Sequence, residues 1–475
     1  MATKTSVKAN IVYNILFQLL SLIVPLITAP YIARVIGKEG MGVYGYTYSI
    51  AHFFMLAIML GILNYGPREI AASNYGDKES LSSKFWSIYG VQLCMGVSMM
   101  LVYLMYVYLC PDSLRYISLF WFFYLLSGTI DVSWFFFGIE EFKLTTSISA
   151  INKVLTTIAI LSFVNTDKDL WLYVFIISIG CFFNGVFLWY KLKGYITLKR
   201  ISLTSLAPHV MPLLVLFFPV IACNIYRYIS KLLLGAMCTM SDVGIYEAAE
   251  KLINLPVCFI AAVGTVMMPY ITRLINDKST QKIKYINHAS LIAVMSVSVA
   301  MTFGLLGICE VFVPLFYGSD FSQCIVVIYI LAPTLIIISW ANVIRTQVLL
   351  PNKKDRLFSI SVACGAFVNV ISNVILIPKM SVNGAAIACL IAEFTVCLIQ
   401  TLYARKYINI YKCILSSAPF IVIGYVMYLL ISTINCENLL FTVITRIVLG
   451  GIIYCIPAVF VLKFVTKNIP NNSIV

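Results

Sequence analysis

Hydrophobic and polar positions in this chain alternate in long blocks, not residue by residue. Fourteen apolar runs, roughly 11–33, 42–63, 85–109, 116–137, 144–164, 170–190, 210–233, 243–269, 289–316, 323–348, 357–378, 384–404, 411–433 and 439–462, are separated by short polar segments. Each is close to the ~20 residues a helix needs to cross a bilayer's hydrocarbon. Lipid offers backbone groups no partners, so only helices or closed barrels span it. Barrel strands alternate over about 10 residues, and stretches such as "FFMLAIMLGIL" (53–63) do not. The pattern predicts an all-α polytopic membrane protein with about fourteen transmembrane helices. The run after "MATKTSVKAN" is longer than the core of a secretory signal, and many spans follow it, so it reads as a retained first helix.

Composition agrees. The 475 residues are 61% hydrophobic and 11% charged, against about 25% charged in soluble domains. Mean hydropathy is +0.96. Alternating the loops from the N-terminus places 22 Lys and Arg on that side and 5 on the other. Cations collect on the cytoplasmic side, so both termini are expected in the cytoplasm. The net charge of +14 is then a topology signal, and no nucleic-acid partner is needed to explain it. Fourteen cysteines lie mostly within the spans, without a C-x-x-C pair, and His52, His209 and His288 lack metal-ligand spacing. Walker A, G-x-S-x-G and H-E-x-x-H motifs are absent. The chain is therefore expected not to be an enzyme and to need neither cofactor nor metal.

Two short internal matches suggest duplication. "YIARVIGKEGMGVY" (31–44) resembles "YISKLLLGAMCTMSDVGIY" (228–246), and "KLTTSISA" (143–150) resembles "RLFSISVA" (356–363). They predict a six-helix lobe at 1–200, a second at 201–408, and an appended helix pair with a cytoplasmic tail at 409–475. An even number of spans per copy makes the repeat parallel, with a cleft between lobes. Pro25 and Pro30 in the first helix, and Pro212 and Pro219 in the seventh, are expected to interrupt those helices.

Charge inside the spans marks candidate chemistry, since each buried charge costs roughly 2.5–3.5 kcal/mol on insertion scales. Asn224, Arg227 and Lys231 recur at helical spacing on one face. Glu247, Glu250 and Lys251 follow on the next helix, and a partly paired network with spare positive charge is expected there. Lys153 sits about ten residues from either end of its span, too deep to snorkel easily. Asp131 is its candidate counter-ion, or else a proton or sodium site. Arg34 is the repeat mate of Lys231. Substrate contacts are thus expected from Arg34, Lys153, Asn224, Arg227, Lys231 and Lys251, with Asp131, Glu247 and Glu250 as an ion-coupling or charge network. Arg446 is expected to be structural. A wet cleft with more cations than free acids suits an anionic, polyhydroxylated solute.

"SKLLLGAMCTMSDVGIYEAAEKLINLP" (230–256), "VILIPKMSVNGAAIACLIAE" (374–393) and "PLITAPYIARVIGKEGMGVYGY" (25–46) resemble hallmarks of Wzx-type flippases, in the multidrug/oligosaccharidyl-lipid/polysaccharide exporter superfamily. The resemblance implies two lobes working by alternating access. It implies an undecaprenyl-pyrophosphate-linked glycan as substrate, moved for O-antigen or capsule synthesis, with a polysaccharide polymerase and chain-length regulator as partners. A cationic lumen is also implied, to which Arg34, Lys153, Arg227, Lys231 and Lys251 would contribute; the neighbouring glutamates complicate a simple cationic wall. A lipid II flippase and a multidrug/cation antiporter of the same fold are the alternatives, and a non-transporting scaffold is the third.

Overall fold

The structure, a computed structural model, describes residues 7–73, 78–199, 203–277 and 280–467. Among them there is no strand. In chain order the helices are α1 (Val7–Met59), α2 (Ile62–Ala71), α3 (Lys78–Leu109), α4 (Asp112–Phe120), α5 (Phe122–Thr129), α6 (Ser133–Gly138), α7 (Phe142–Phe163), α8 (Leu170–Leu192) and α9 (Leu203–Met237). They continue with α10 (Met240–Asn276), α11 (Thr280–Tyr317), α12 (Gln323–Leu331), α13 (Pro333–Ile344), α14 (Asp355–Ala404), α15 (Ile410–Ser432) and α16 (Leu439–Lys467).

Ten of the described helices or helix runs are long and apolar enough to cross a membrane, or eleven if α9, bent at the position of Pro219, counts as one span. Two of the ten contain sharp breaks. In α1 the break is Gly37, at φ 68° and ψ −179°, a region open in practice to glycine alone. The helix runs unbroken through Pro25 and Pro30, so the expected proline interruption of the first span is replaced by a glycine turn seven residues later. In α14 the break is Ser381, at φ 48°. Both breaks lie in segments that carry the family-like pattern. So does the α9–α10 junction, where Thr239 and Asp242 form a capping box, each side chain bonding the other's backbone N–H.

The chain divides into two compact units, Met1–Asn224 and Ile225–Val475. The sequence boundary at 200/201 falls ahead of α9, whereas the contacts divide within it. In the first unit α1, α5, α7 and α8 pack on one another. In the second, α15 and α16 pack on α11 and on each other. Arg446 of α16 is 2% exposed and joins them. Its guanidinium donates to the carbonyls of Gly307 (2.7 Å), Ile434 (2.9 Å) and Ser432 (3.1 Å), and to Asn435 Oδ1 (3.0 Å). A cation thereby meets the open carbonyls at the C-terminal end of α15, where the helix dipole is negative. The structural role expected for Arg446 is visible in these bonds.

Candidate functional site

The first unit contains a cavity of about 690 Å³, within the range of small-molecule sites. One wall is α7. Ser149, Asn152, Lys153 and Thr156, at i, i+3, i+4 and i+7, line the cavity, while Ile151, Leu155 and Ile158 on other faces are exposed. The helix is amphipathic inside out, with its polar face in the protein and its apolar face where lipid would be. Gly180 of α8 allows the close approach: a Cβ there would lie 2.6 Å from Thr156 Oγ1. Ser149 Oγ donates to Asn184 Oδ1 of α8 at 3.3 Å, tying the two polar faces together.

The facing wall is aromatic. Tyr44, Tyr48 and His52 recur every four residues after the Gly37 break, with Tyr44 and Tyr48 stacked at 5.9 Å and Tyr48 and His52 at 5.5 Å. Tyr44, His52, Tyr124 and Tyr173 line the cavity. Both His52 nitrogens are engaged: Nε2 with Asn224 Oδ1 at 3.2 Å, Nδ1 with the Tyr124 hydroxyl at 3.0 Å. Asn224 Nδ2 donates to the Val220 carbonyl at 2.8 Å, leaving Oδ1 as acceptor. His52 Nε2 is then the donor to Asn224, while the Tyr124 hydroxyl can serve Nδ1 as donor or acceptor.

Asp131 lines the same cavity as Lys153. The expected single helix over 116–137 is instead three short ones, α4 to α6, and Asp131 sits in the break between the last two. Its Oδ1 accepts from the Ser133 N–H at 2.8 Å and its Oδ2 from the Ser133 hydroxyl at 3.1 Å, holding the start of α6. Opening a helix inside a membrane frees carbonyls that must find donors. Gln92 Nε2 serves Gly128 (2.7 Å) and Asp131 (2.8 Å), Trp189 Nε1 serves Ile130 (2.7 Å), and Trp134 Nε1 reaches Asp131 (3.2 Å). Gln92 and Trp134 are completely buried. Neither was singled out by sequence, where a lone Gln or Trp in an apolar run has no visible partner.

The remaining predicted residues are dispersed. Arg34 is exposed on α1, three residues before the Gly37 break, and is not in the cavity lining. In the second unit Lys231 is 4% exposed. Its Nζ lies 2.8 Å from Glu247 Oε2 and 2.9 Å from Glu250 Oε2, while Lys251 Nζ lies 3.3 Å from Glu247 Oε1. Two ammonium groups meet two carboxylates, so this network balances and leaves none of the spare positive charge expected there. Arg227, on the same helix as Lys231, stands outside it and is exposed. Arg345, at the end of α13, was overlooked by the sequence reading. No cluster of His, Cys, Asp or Glu among the described residues has the makings of a metal site.

A family model described as "Polysaccharide biosynthesis protein" matches residues 7–275. An Escherichia coli (strain K12) protein named as an O-antigen transporter is 23% identical over 411 residues, covering 85% of this chain and 98% of its own. A Haloferax volcanii protein named as a low-salt glycan biosynthesis flippase is 25% identical over 185 residues, 39% of each chain. Among solved structures, the lipid II flippase MurJ in an inward closed conformation superposes with a TM-score of 0.75 at 15% identity, covering 96% of this chain and 99% of that one. A MATE transporter in a bent conformation gives 0.52 at 14% identity, over 85% and 94%. The two superpositions confirm the all-α polytopic fold.

Proposed function

Since the chain belongs to the polysaccharide biosynthesis protein family, we propose that it moves the sugar head of a lipid-linked oligosaccharide across a membrane while the lipid tail stays in the bilayer. The carrier we assign is undecaprenyl pyrophosphate, the membrane the bacterial inner membrane, and the mode alternating access of the two units. The loop charges support fourteen spans with both termini cytoplasmic. A polysaccharide polymerase and chain-length regulator would act on the delivered glycan.

The observation that supports this most is the cavity, lined by aromatic rings and by the hydroxyls, amides and ammonium of α7, behind a helix whose outer face is apolar. A glycan head has many hydroxyls to satisfy, and stripping them of water without replacement costs kilocalories per group. Hydroxyls and amides on α7 and α8 replace that water, and the aromatic rings opposite give flat apolar faces against which pyranose C–H faces pack. Lys153 supplies a cation beside them for an acidic sugar or a phosphate oxygen. Of the other residues expected to bind substrate, we retain Arg227 and Arg34. We assign Lys231, Lys251, Glu247 and Glu250 to holding the second unit together, Asn224 to fixing His52, and Asp131 to shaping the helix break beside Lys153.

The test is deletion of the gene in its host, followed by analysis of undecaprenol-linked glycans and surface polysaccharide. The expected result is accumulation of the lipid-linked repeat unit on the cytoplasmic face with loss of surface glycan. Normal surface glycan would refute the reading. The fold likeness to MurJ gives lipid II transport a specific second claim. Rescue of cells depleted of their own lipid II flippase, with surface glycan unaffected by the deletion, would favour that claim.

A further inference from the structure

Glu310 is the only acidic residue of α11, and it is exposed. Its Oε1 accepts from the Tyr329 hydroxyl of α12 at 3.2 Å. Among the described residues no cationic nitrogen lies within 4.0 Å of its carboxylate. Arg446 holds the Gly307 carbonyl one turn earlier on α11, but its other bonds go to Ile434, Ser432 and Asn435. A carboxylate left without a counter-ion at the edge of a membrane span is costly to keep there, and such groups mark functional sites.

The carboxylate stands at the mouth of a furrow in the second unit. α12 and α15 both pack on α11 and scarcely on each other. Tyr428 of α15 lies over Gly307, where a Cβ would sit 3.7 Å from the ring, and it adjoins the Tyr329 hydroxyl. Tyr425, one turn earlier on α15, is 52% exposed, with its ring 6.3 Å from that of Tyr428. Val326, one turn before Tyr329 on α12, is 49% exposed. Depth follows from the packing. Gly307 also meets Ile431 in the last turn of α15, so Glu310, one turn further along α11, is level with the end of α15. The 38 residues of α11 are roughly 57 Å long at 1.5 Å per residue, more than the ~40–45 Å of a whole bilayer. Glu310, seven residues or roughly 10 Å short of the end, therefore lies at headgroup depth, at the end of α11 away from Lys282 and Lys284.

We propose that this furrow binds a phospholipid with a primary ammonium headgroup, of the phosphatidylethanolamine type, with the ammonium on Glu310 beside Tyr329 and Tyr428 and an acyl chain along Tyr425 and Val326. A carboxylate next to aromatic rings suits an ammonium ion, since the charge attracts it and the ring faces add a cation–π contribution. Tyr329 occupies only Oε1, so Oε2 is open to a charge-assisted N–H bond. A choline headgroup has no N–H to give and an anionic headgroup is repelled, so the furrow selects among lipids. The half-exposed apolar walls favour a lipid over a basic peptide, which would bring no chain to cover them. The site is separate from the cavity assigned to the glycan and does not depend on the transport reading.

The full-length protein, delipidated in detergent and titrated with the dioleoyl forms of phosphatidylethanolamine, phosphatidylcholine and phosphatidylglycerol, provides the test, with bound lipid read by native mass spectrometry. The wild type is expected to bind the ethanolamine lipid about tenfold more tightly than the other two, the gain of one charge-assisted bond. Glu310→Gln, which keeps the size of the side chain, should remove that preference. Tyr428→Leu should weaken ethanolamine binding about threefold by taking away a ring face. Glu437→Gln removes an exposed acid just beyond α15 and should leave the preference unchanged. Equal wild-type affinities for the ethanolamine and choline lipids would overturn the site, as would a preference that survives Glu310→Gln. Equal losses in Glu310→Gln and Glu437→Gln would assign the preference to general surface charge and overturn it too. If Glu310→Gln lowers the melting temperature of the lipid-free protein and leaves the preference intact, the carboxylate serves Tyr329 alone and the proposal fails.

Discussion

Replacing Lys231 with methionine removes the ammonium shared by the buried Glu247 and the partly buried Glu250. Glu247 retains Lys251 at 3.3 Å, but Glu250, 2.9 Å from Lys231, loses the partner it has in this network. Breaking a buried ion pair from one side costs about 3–5 kcal/mol, because the surviving charge stays desolvated. The ammonium also stands 4.9 Å from the Tyr228 ring centroid, a contact worth up to about 2 kcal/mol when desolvated. Methionine keeps the length and most of the packing, so the loss reads as electrostatic. Lys231→Met is expected to destabilise the second unit by about 3–5 kcal/mol, two to three and a half decades in the unfolding equilibrium at about 1.4 kcal/mol per decade. The informative variant is the double replacement Lys231→Met with Glu250→Gln. It leaves the neutral pair Glu247–Lys251, so it should recover at least about half of the single-mutant loss. Stability is read by thermal or steric-trapping unfolding in lipid nanodiscs, and surface glycan per folded copy is measured alongside. Our assignment of this network to the fold is refuted if Lys231→Met melts like wild type. It is refuted equally if the stable double variant exports no glycan, since Lys231 would then be needed by the substrate.

Three further outcomes are expected. Lys153→Ala should lower surface glycan at normal protein levels by about tenfold, one charge-assisted contact, and an unchanged level on a quantitative glycan blot removes Lys153 from the site. Gly180→Val should cost about 1–3 kcal/mol in stability and cut export, since the new side chain meets Thr156 and parts α7 from α8; Gly180→Ala should be milder, and equal effects would count against the close-approach argument. Arg446→Met should cost at least about 3 kcal/mol by leaving several carbonyl acceptors short of a donor. Arg446→Lys should recover little, because one ammonium cannot reproduce the planar fork, and full thermal stability in the lysine variant contradicts this.

The candidate site was partly legible in the sequence. Lys153 stood out because nothing near it in the chain excuses a cation that deep, and the cavity lies where it lies. Asp131 was found for the same reason, although its hold on Ser133 and the helix break around it were not visible. Arg345 was missed. Of the 33 Lys and Arg, 27 fall in the loops, and Arg345 is among the six that remain. It lies inside the run 323–348 but only three residues from its end, where a long basic side chain can snorkel to the interface and so draws no notice.

The blocks of apolar residues and the cationic loops between them determined the class, the helical content and the expected orientation. Transfer from water to hydrocarbon is settled residue by residue, so the sum is present in the sequence before any contact forms. The same holds for the three family-like junctions, whose glycine, capping pair and turn act within a few residues. Which polar groups meet which was decided only in three dimensions. Lys231 finds Glu247 sixteen positions away, Arg446 finds the Gly307 carbonyl 139 away, and His52 finds Asn224 172 away. Whether a buried charge is cancelled or left for a ligand depends on distances between helices that the order of residues does not contain, because a Coulomb energy in a medium of low dielectric changes by kilocalories over a few ångströms.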